Sequence, residues 1–295
     1  MKDFASTLLR DWGAAFDGPL PVSENEPMAA HTSFRCGGAA RLFCRPSSEA
    51  ELIFFLKAVR TAGVPFFILG NGTNVLVRDG GFGGAVVSTA GAGVPAAAPL
   101  ASAAKGAADA GKTGLEPLSG IPGSVGGAVR MNAGAYGGEM AQVVAGVRVY
   151  DMDSGNIIIV NREDCAFGYR ASVFQQRPWV VLEAEWALAD GDPAEIRARM
   201  QEYARRRNEK QPMDLPSAGS FFKRPAGGYA SQLIDEAGLK GFRVGGAMVS
   251  EKHAGFLVNA GGATASDVLA VADHVKEVVL ARFGILLEEE PEVLG

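Results

Sequence analysis

Thirty-nine of the 295 residues are glycine, about 13% of the chain and nearly twice the usual share, and they fall in short runs. Such runs mark places where backbone turns sharply or comes close to something, because a residue without a Cβ does both at no steric cost. Two of them dominate. One is Leu69-Gly70-Asn71-Gly72-Thr73-Asn74-Val75; the other is Ser119-Gly120-Ile121-Pro122-Gly123-Ser124-Val125-Gly126-Gly127, followed by Asn132-Ala133-Gly134-Ala135-Tyr136-Gly137-Gly138. Both expose backbone N–H groups with few side chains in the way and carry interleaved Asn, Thr and Ser donors, which suits an anionic diphosphate. One such loop serves a tight turn as readily as a ligand; two with similar donors favour a ligand.

A mass of 30.7 kDa suffices for about two domains and a core able to enclose a cofactor without disulfides. With 47% hydrophobic and 21% charged residues the chain is neither disordered nor collagen-like. Its 28 basic and 33 acidic side chains sum to −5, which leaves no broad basic field, so nucleic acid is not an expected partner. Cys36, Cys44 and Cys165 form no C-x-x-C pair and leave an odd thiol, which fits a reducing cytoplasm. Arg10-Asp11 interrupts the start before any apolar stretch of signal-peptide length, and no run of 18 apolar residues occurs, so neither export nor membrane insertion is expected. His31, His253 and His274 lack metal-ligand spacing, and no metal is expected. His253 either touches a ligand or is a hydrogen-bonded structural ring.

Strand and helix signals alternate along the chain. Residues 40–46 read as a strand, and Ser48-Glu49-Ala50-Glu51 as a capping box opening a helix that closes at Gly63. Residues 65–69 form a short apolar strand leading into the first glycine loop, and 75–77 resume extended structure. Residues 85–88, 144–152, 157–160 and 180–188 read as strands, the middle two as a hairpin across Asp153-Ser154-Gly155-Asn156. Asp192-Pro193-Ala194-Glu195 caps a charged helix to about Arg207, and the Pro-bearing stretch 211–216 marks a boundary. Beyond it come β structure at 219–223, a helix at 231–237, strands at 247–250 and 255–258, and a long helix over 265–283. The class is α+β.

Two familiar nucleotide signatures fail on inspection. Gly106-Ala107-Ala108-Asp109-Ala110-Gly111-Lys112-Thr113 matches the P-loop letter for letter, yet a working P-loop follows an apolar strand and opens a helix. Here the preceding residues are Ala-rich and helix-forming, Gly111 reads as a helix stop, and Pro117 forbids a helix running on from Lys112. No G-x-G-x-x-G survives either, because each G-x-G lacks its third glycine, so a Rossmann nicotinamide domain is not supported.

Several runs together carry a family resemblance: His31-Thr32-Ser33-Phe34-Arg35-Cys36-Gly37-Gly38, residues 69–75 and 120–138, Phe167-Gly168-Tyr169-Arg170, Ala218-Gly219-Ser220-Phe221-Phe222-Lys223, and residues 238–247. In this order, from about His31 to Val293, the chain resembles the UDP-N-acetylenolpyruvoylglucosamine reductase (MurB) family in its shorter form. That family implies an FAD-binding domain of the vanillyl-alcohol-oxidase (PCMH) type in two α+β subdomains plus a C-terminal α+β substrate domain. The expected division is 1–92 and 93–203 for FAD and 204–295 for substrate. The implied activity is that of a UDP-N-acetylmuramate dehydrogenase of peptidoglycan precursor synthesis. NADPH reduces FAD, which passes hydride to the enolpyruvyl group of UDP-N-acetylglucosamine enolpyruvate.

The resemblance further implies that FAD is held non-covalently by Gly70, Asn71, Gly72, Thr73, Asn74, Pro122, Gly123, Ser124, Gly127, Asn132, Gly134 and Tyr136. It assigns Arg170 to the substrate carboxylate, Ser220 as proton donor, and Glu292 beside the same carboxylate. That trio makes chemical sense, because hydride addition to an enol ether builds carbanion-like charge next to a carboxylate, where a guanidinium and a proton donor both act. Lys210 and Arg224 are cationic candidates for the UDP diphosphate. Two readings stay open for this pair, since basic residues near Lys210 also complement a helix C-terminus. Leu294 stands where the family commonly has an arginine after the Glu-Val pair, and the insertion carrying an extra substrate tyrosine is missing. A flavin-dependent sugar or alcohol oxidase is the competing reading; it needs no Arg170, Ser220 and Glu292 set.

Overall fold

The computed structural model describes residues 2–295. Two compact units divide the chain, each assembled from three stretches. The first takes residues up to Glu24, Leu42–Asn71 and Gly84–Ala204; the second takes Asn25–Arg41, Gly72–Gly83 and Arg205–Gly295.

The first unit holds two hydrophobic cores on either face of one sheet. Strands Ile157–Asn161, Val144–Asp151 and Trp179–Trp186 are antiparallel in that spatial order. Because successive side chains of a strand point to opposite faces, Val147 and Val149 enter one core while Tyr150 and Met152 enter the other. One core is closed by helices Leu100–Asp109 and Val125–Met131. The other is closed by helix Glu49–Ala62, by helix Lys2–Ala15, whose Trp12 stacks on Phe55 at 5.5 Å, and by the strand Phe66–Leu69 running parallel to Phe82–Ser88.

In the second unit, strands Ser217–Ser220, Phe256–Asn259, Ala247–Val249 and Arg243–Val244 form an antiparallel sheet. Helix Ala265–Phe283 covers it with Val268, Val271, Ala272, Val275 and Val279, a buried stripe at three- and four-residue spacing. Thr264 and Asp267 close a reciprocal capping box at its start, and Gly284 ends it in the left-handed conformation. The Asp79 carboxylate accepts further bonds from the N–H groups of Ala265 (2.8 Å) and Ser266 (2.9 Å), which fixes the segment after Val77 to this helix. Residues Glu292–Leu294 add a parallel strand beside Val75–Val77. Each of the three cores buries one cysteine: Cys36 here, Cys165 and Cys44 in the first unit.

The helix over 265–283 has the bounds its sequence predicts, and the hairpin pairs as expected. Other elements differ. Helix Lys2–Ala15 is an element that the sequence signals leave out, and Val125–Met131 is helical where the glycines suggest only loop. Helix Pro193–Lys210 runs three residues beyond the predicted end. The Glu51 carboxylate bonds the N–H of Ser47 (2.7 Å) instead of closing the box on Ser48, whose own hydroxyl does accept from Glu51 N–H (3.2 Å). The P-loop look-alike is the end of helix Leu100–Asp109, a left-handed Gly111 and the strand Lys112–Thr113, with the Lys112 ammonium on Asp190 at 2.6 Å. Among the described residues no helix is long and apolar enough to cross a membrane.

Candidate active site

The first glycine loop leaves the end of a half-buried parallel strand, where Leu69 O accepts the N–H of Thr89 at 2.8 Å. A Cβ on Gly70 would stand 2.6 Å from Ser124 Oγ, so the two glycine segments meet at this point. At Gly72 the backbone is left-handed (φ 63°), and a Cβ would overlap the carbonyl oxygen of His31. The segment 31–35 lies on that glycine: Ser33 N–H donates to Gly72 O at 3.0 Å. Asn74 Nδ2 donates to Glu290 O (3.2 Å) and Asn74 O accepts the N–H of Glu292 (3.0 Å). Loop and final strand are thereby laced together.

The second segment is more than a loop. Ser124 is the N-cap of helix Val125–Met131, its buried hydroxyl accepting from Gly127 N–H at 3.2 Å. The preceding turn is tied down by Leu100 N–H to Gly123 O (2.9 Å) and Val125 N–H to Ala98 O (2.9 Å). Asn132 ends the helix in the left-handed conformation, 1% exposed, and spends its whole side chain: Nδ2 donates to Gly168 O and Oδ1 accepts from Ala141 N–H, both at 2.9 Å. Gly134–Ala135 and Gly138–Glu139 then form a hairpin whose two turn residues, Tyr136 (φ 52°) and Gly137 (φ 84°), are both left-handed as a two-residue turn of type I′ requires. The Tyr136 ring stacks on Tyr203 at 4.9 Å.

Arg170 sits on a turn closed by two bonds between Gly168 and Ala171 (2.9 and 3.1 Å), with φ 54° where glycine is the ordinary occupant. Its guanidinium lies 5.1 Å over the Tyr169 ring. Gln175 Nε2 donates to Arg170 O and Arg130 O, both at 3.1 Å, and Ser172 Oγ to Arg130 O at 2.6 Å. The arginine turn is thus fastened to the end of the helix that Ser124 begins. Sequence reasoning missed Ser172, Gln175 and Tyr203; nothing in their local pattern distinguishes them from surface residues.

In the second unit Ser220 is exposed at the end of strand Ser217–Ser220, with Gly219 left-handed (φ 79°) at an irregularity in the pairing with Phe256–Asn259. Buried Phe221 and Phe222 anchor the next two positions. Phe222 pairs antiparallel with Glu289, and Glu290 N–H donates to Phe221 O at 2.8 Å. Residues 221–223 and 288–290 thus run side by side, with Ser220 preceding the one stretch and Glu292 following the other. The structure therefore gathers Ser220, Glu292 and Asn74 onto adjoining backbone of one unit. Arg224 lies 4.5 Å over the Tyr229 ring. Lys210 is exposed in the last turn of its helix, where the Asn208 carbonyl takes the Lys252 ammonium at 2.6 Å.

An open cleft of about 600 Å³ next to Tyr229 is lined by Ser231, Gln232, Asp235, Lys240, Lys252 and His253. The His253 Nδ1 accepts Gly255 N–H at 3.1 Å, and burial pushes the pKa of the ring down, so the neutral imidazole carries its proton on Nε2. Among the described residues no group of three His, Cys, Asp or Glu side chains is placed to hold a metal.

Residues 70–74 and 120–127 contain no acidic side chain, and glycines stand where a Cβ would collide. Such a donor set fits an anionic dinucleotide. Comparison with known proteins agrees. Residues 40–161 match the family described as FAD binding domain, and 211–294 match UDP-N-acetylenolpyruvoylglucosamine reductase, C-terminal domain. The enzyme named UDP-N-acetylenolpyruvoylglucosamine reductase from Caldanaerobacter subterraneus subsp. tengcongensis is 47% identical over 281 residues, 92% of this chain and 93% of that one. Its namesake from Clostridium perfringens is 45% identical over 284 residues, 93% of each. The crystal structure of UDP-N-acetylenolpyruvylglucosamine reductase (MurB) from Thermus caldophilus superimposes with a TM-score of 0.80 at 37% identity, covering 92% of this chain and 98% of that one. With identity of this order over nearly the full length of its relatives, the chain belongs to the UDP-N-acetylenolpyruvoylglucosamine reductase family.

Proposed function

We propose that this chain is a cytoplasmic UDP-N-acetylmuramate dehydrogenase, using NADPH to reduce the enolpyruvyl ether of UDP-N-acetylglucosamine for peptidoglycan precursors. The observation that carries the reading is that an FAD-binding match over 40–161 and a reductase C-terminal match over 211–294 lie in one chain, of which a reductase 47% identical covers 92%. Our division is FAD-binding parts at 1–92 and 93–203 and a substrate part at 204–295, a reading whose last boundary is supported by the match that begins at residue 211.

Non-covalently bound FAD supplies the two-electron chemistry, taking hydride from NADPH and giving it to the substrate double bond. The remaining work belongs to the chain. Gly70, Asn71, Gly72, Thr73, Asn74, Pro122, Gly123, Ser124, Gly127, Asn132, Gly134 and Tyr136 would hold the cofactor. The Ser124 hydroxyl accepts from Gly127 N–H at the start of helix Val125–Met131 and keeps its own proton to donate, while the Asn132 amide is bonded to Gly168 O and Ala141 N–H and acts through backbone and shape. Arg170, held rigid on its turn, binds the substrate carboxylate and opposes the negative charge that grows as hydride arrives. Ser220 donates its proton to the carbon next to that carboxylate, and Glu292 shares the same acid end. Lys210 and Arg224 bind the diphosphate; at the same helix end the Asn208 carbonyl takes the Lys252 ammonium.

Purified protein is expected to be yellow and to oxidise NADPH slowly until the UDP-enolpyruvyl sugar is added. In rapid mixing, Ser220→Ala should leave flavin bleaching by NADPH within about twofold of wild type, while reoxidation by the sugar falls by about 100-fold or more. Equal loss of both half-reactions would contradict the role of Ser220, and colourless protein that takes up no added FAD would end the proposal.

A further inference from the structure

We propose that the Thr32 hydroxyl donates a hydrogen bond to the diphosphate of the bound flavin nucleotide, joining the glycine loop 72–74 in holding it. Thr32 is 6% exposed, and its Oγ1 is buried with no hydrogen-bond partner. Its backbone is already used, Thr32 O accepting Arg35 N–H at 3.1 Å. A buried hydroxyl without a partner is destabilising and uncommon, and valine would fill the same volume without that penalty.

The hydroxyl's position suggests what completes it. Ser33, the next residue, donates N–H to Gly72 O at 3.0 Å, and the Cα of Thr32 lies 3.1 Å from where a Cβ on Gly72 would stand. Thr32 therefore borders the glycine loop at its closest approach. Gly72, Thr73 and Asn74 bring no acidic side chain, and the chemistry of that loop suits an anion, so the missing partner is an acceptor. A hydroxyl donating to a phosphate oxygen makes one of the stronger hydrogen bonds. Thr32 falls outside both matched segments, 40–161 and 211–294.

The inference rests on the reading that this loop holds the diphosphate, and the test separates the two. Apoprotein of the wild type, Thr32→Val, Thr32→Ser and Gly72→Ala is titrated with FAD, and with ADP and riboflavin as competitors, while apoprotein melting is followed alongside. Thr32→Val is expected to weaken FAD and ADP by about 10- to 100-fold and to leave riboflavin unchanged. Its apoprotein should melt no lower than wild type, because a methyl group replaces an unsatisfied hydroxyl. Thr32→Ser should bind FAD within about threefold of wild type. FAD affinity unchanged in Thr32→Val, an equal loss for riboflavin, or a lower apoprotein melting temperature would each overturn the proposal. If Gly72→Ala binds FAD as wild type does, or ADP fails to compete even in the wild type, the loop reading itself falls. Loss in Gly72→Ala with none in Thr32→Val removes only the threonine.

Discussion

Asn132, Tyr136 and Arg170 are non-glycine residues held at positive φ, and all three lie within or beside the second glycine segment. For Asn132 the cost is offset by two side-chain hydrogen bonds. Arg170 carries a Cβ at φ 54°, a left-handed conformation that costs about 1–2 kcal/mol in a residue other than glycine. We propose that the guanidinium serves substrate binding and not the fold. Arg170→Gly should accordingly keep thermal stability within about 1 kcal/mol of wild type, or raise it, while sugar turnover drops about 100-fold or more. A melt lowered by well over 1 kcal/mol would mean the side chain is structural. The residue pattern Gly168-Tyr169-Arg170 was readable from the sequence as part of a family resemblance, but its backbone strain was not, because φ is set by the closing bonds between Gly168 and Ala171. The run 31–38 gives Thr32 no role by sequence alone, since an orphaned hydroxyl exists only once its surroundings are folded.

Among the elements, the segment after the P-loop look-alike shows how context overrules letters. Glu116 is buried, and its carboxylate accepts from Thr113 Oγ1 (2.6 Å), Gly114 N–H (2.6 Å) and Arg199 Nη2 (2.8 Å) of the helix Pro193–Lys210. Burial alone would raise its pKa; the bonds from Thr113, Gly114 and Arg199 outweigh it, and the net shift is downward from 4.5. A depressed carboxylate adds stability that is present above the unfolded value near 4.5 and fades as pH falls through the folded value. Glu116→Gln should therefore cost about 2–4 kcal/mol in denaturant melts at pH 7, and the gap to wild type should narrow at pH 3. A gap independent of pH would rule out this ion pair as the cause. Sequence periodicity found Ala265–Phe283 because its cap, its apolar stripe and its closing glycine agree. It overlooked Val125–Met131 because two glycines and a short run mask a helix whose Ser124 cap is plain only afterwards.

At the level of the whole chain, the stretches of the two units alternate along the sequence, and each unit contains proposed functional residues: Arg170 and Tyr136 belong to one, Thr73, Asn74, Ser220 and Glu292 to the other. Punctuation by Pro and Gly marks boundaries along a sequence, but it is silent about partners such as Asn74 and Glu290, which bond across 216 positions. That bond and the pairing of Glu292–Leu294 with Val75–Val77 give a whole-chain prediction. Stopping the chain after Pro291 should weaken FAD binding about tenfold or more by unsettling residues 72–74, whereas Glu292→Gln should bind FAD normally and lose turnover. Identical behaviour of the two in a flavin titration would refute the separation. The cysteines have a practical consequence. Burial, aided by Asp79 and Asp267, pushes the Cys36 thiol up to about 11; burial likewise pushes Cys165 to about 11 and Cys44 to about 12. With one inert sulfur in each core, alkylation followed by peptide mass analysis becomes a three-channel recorder, timing when each interior first opens to solvent without a single introduced label.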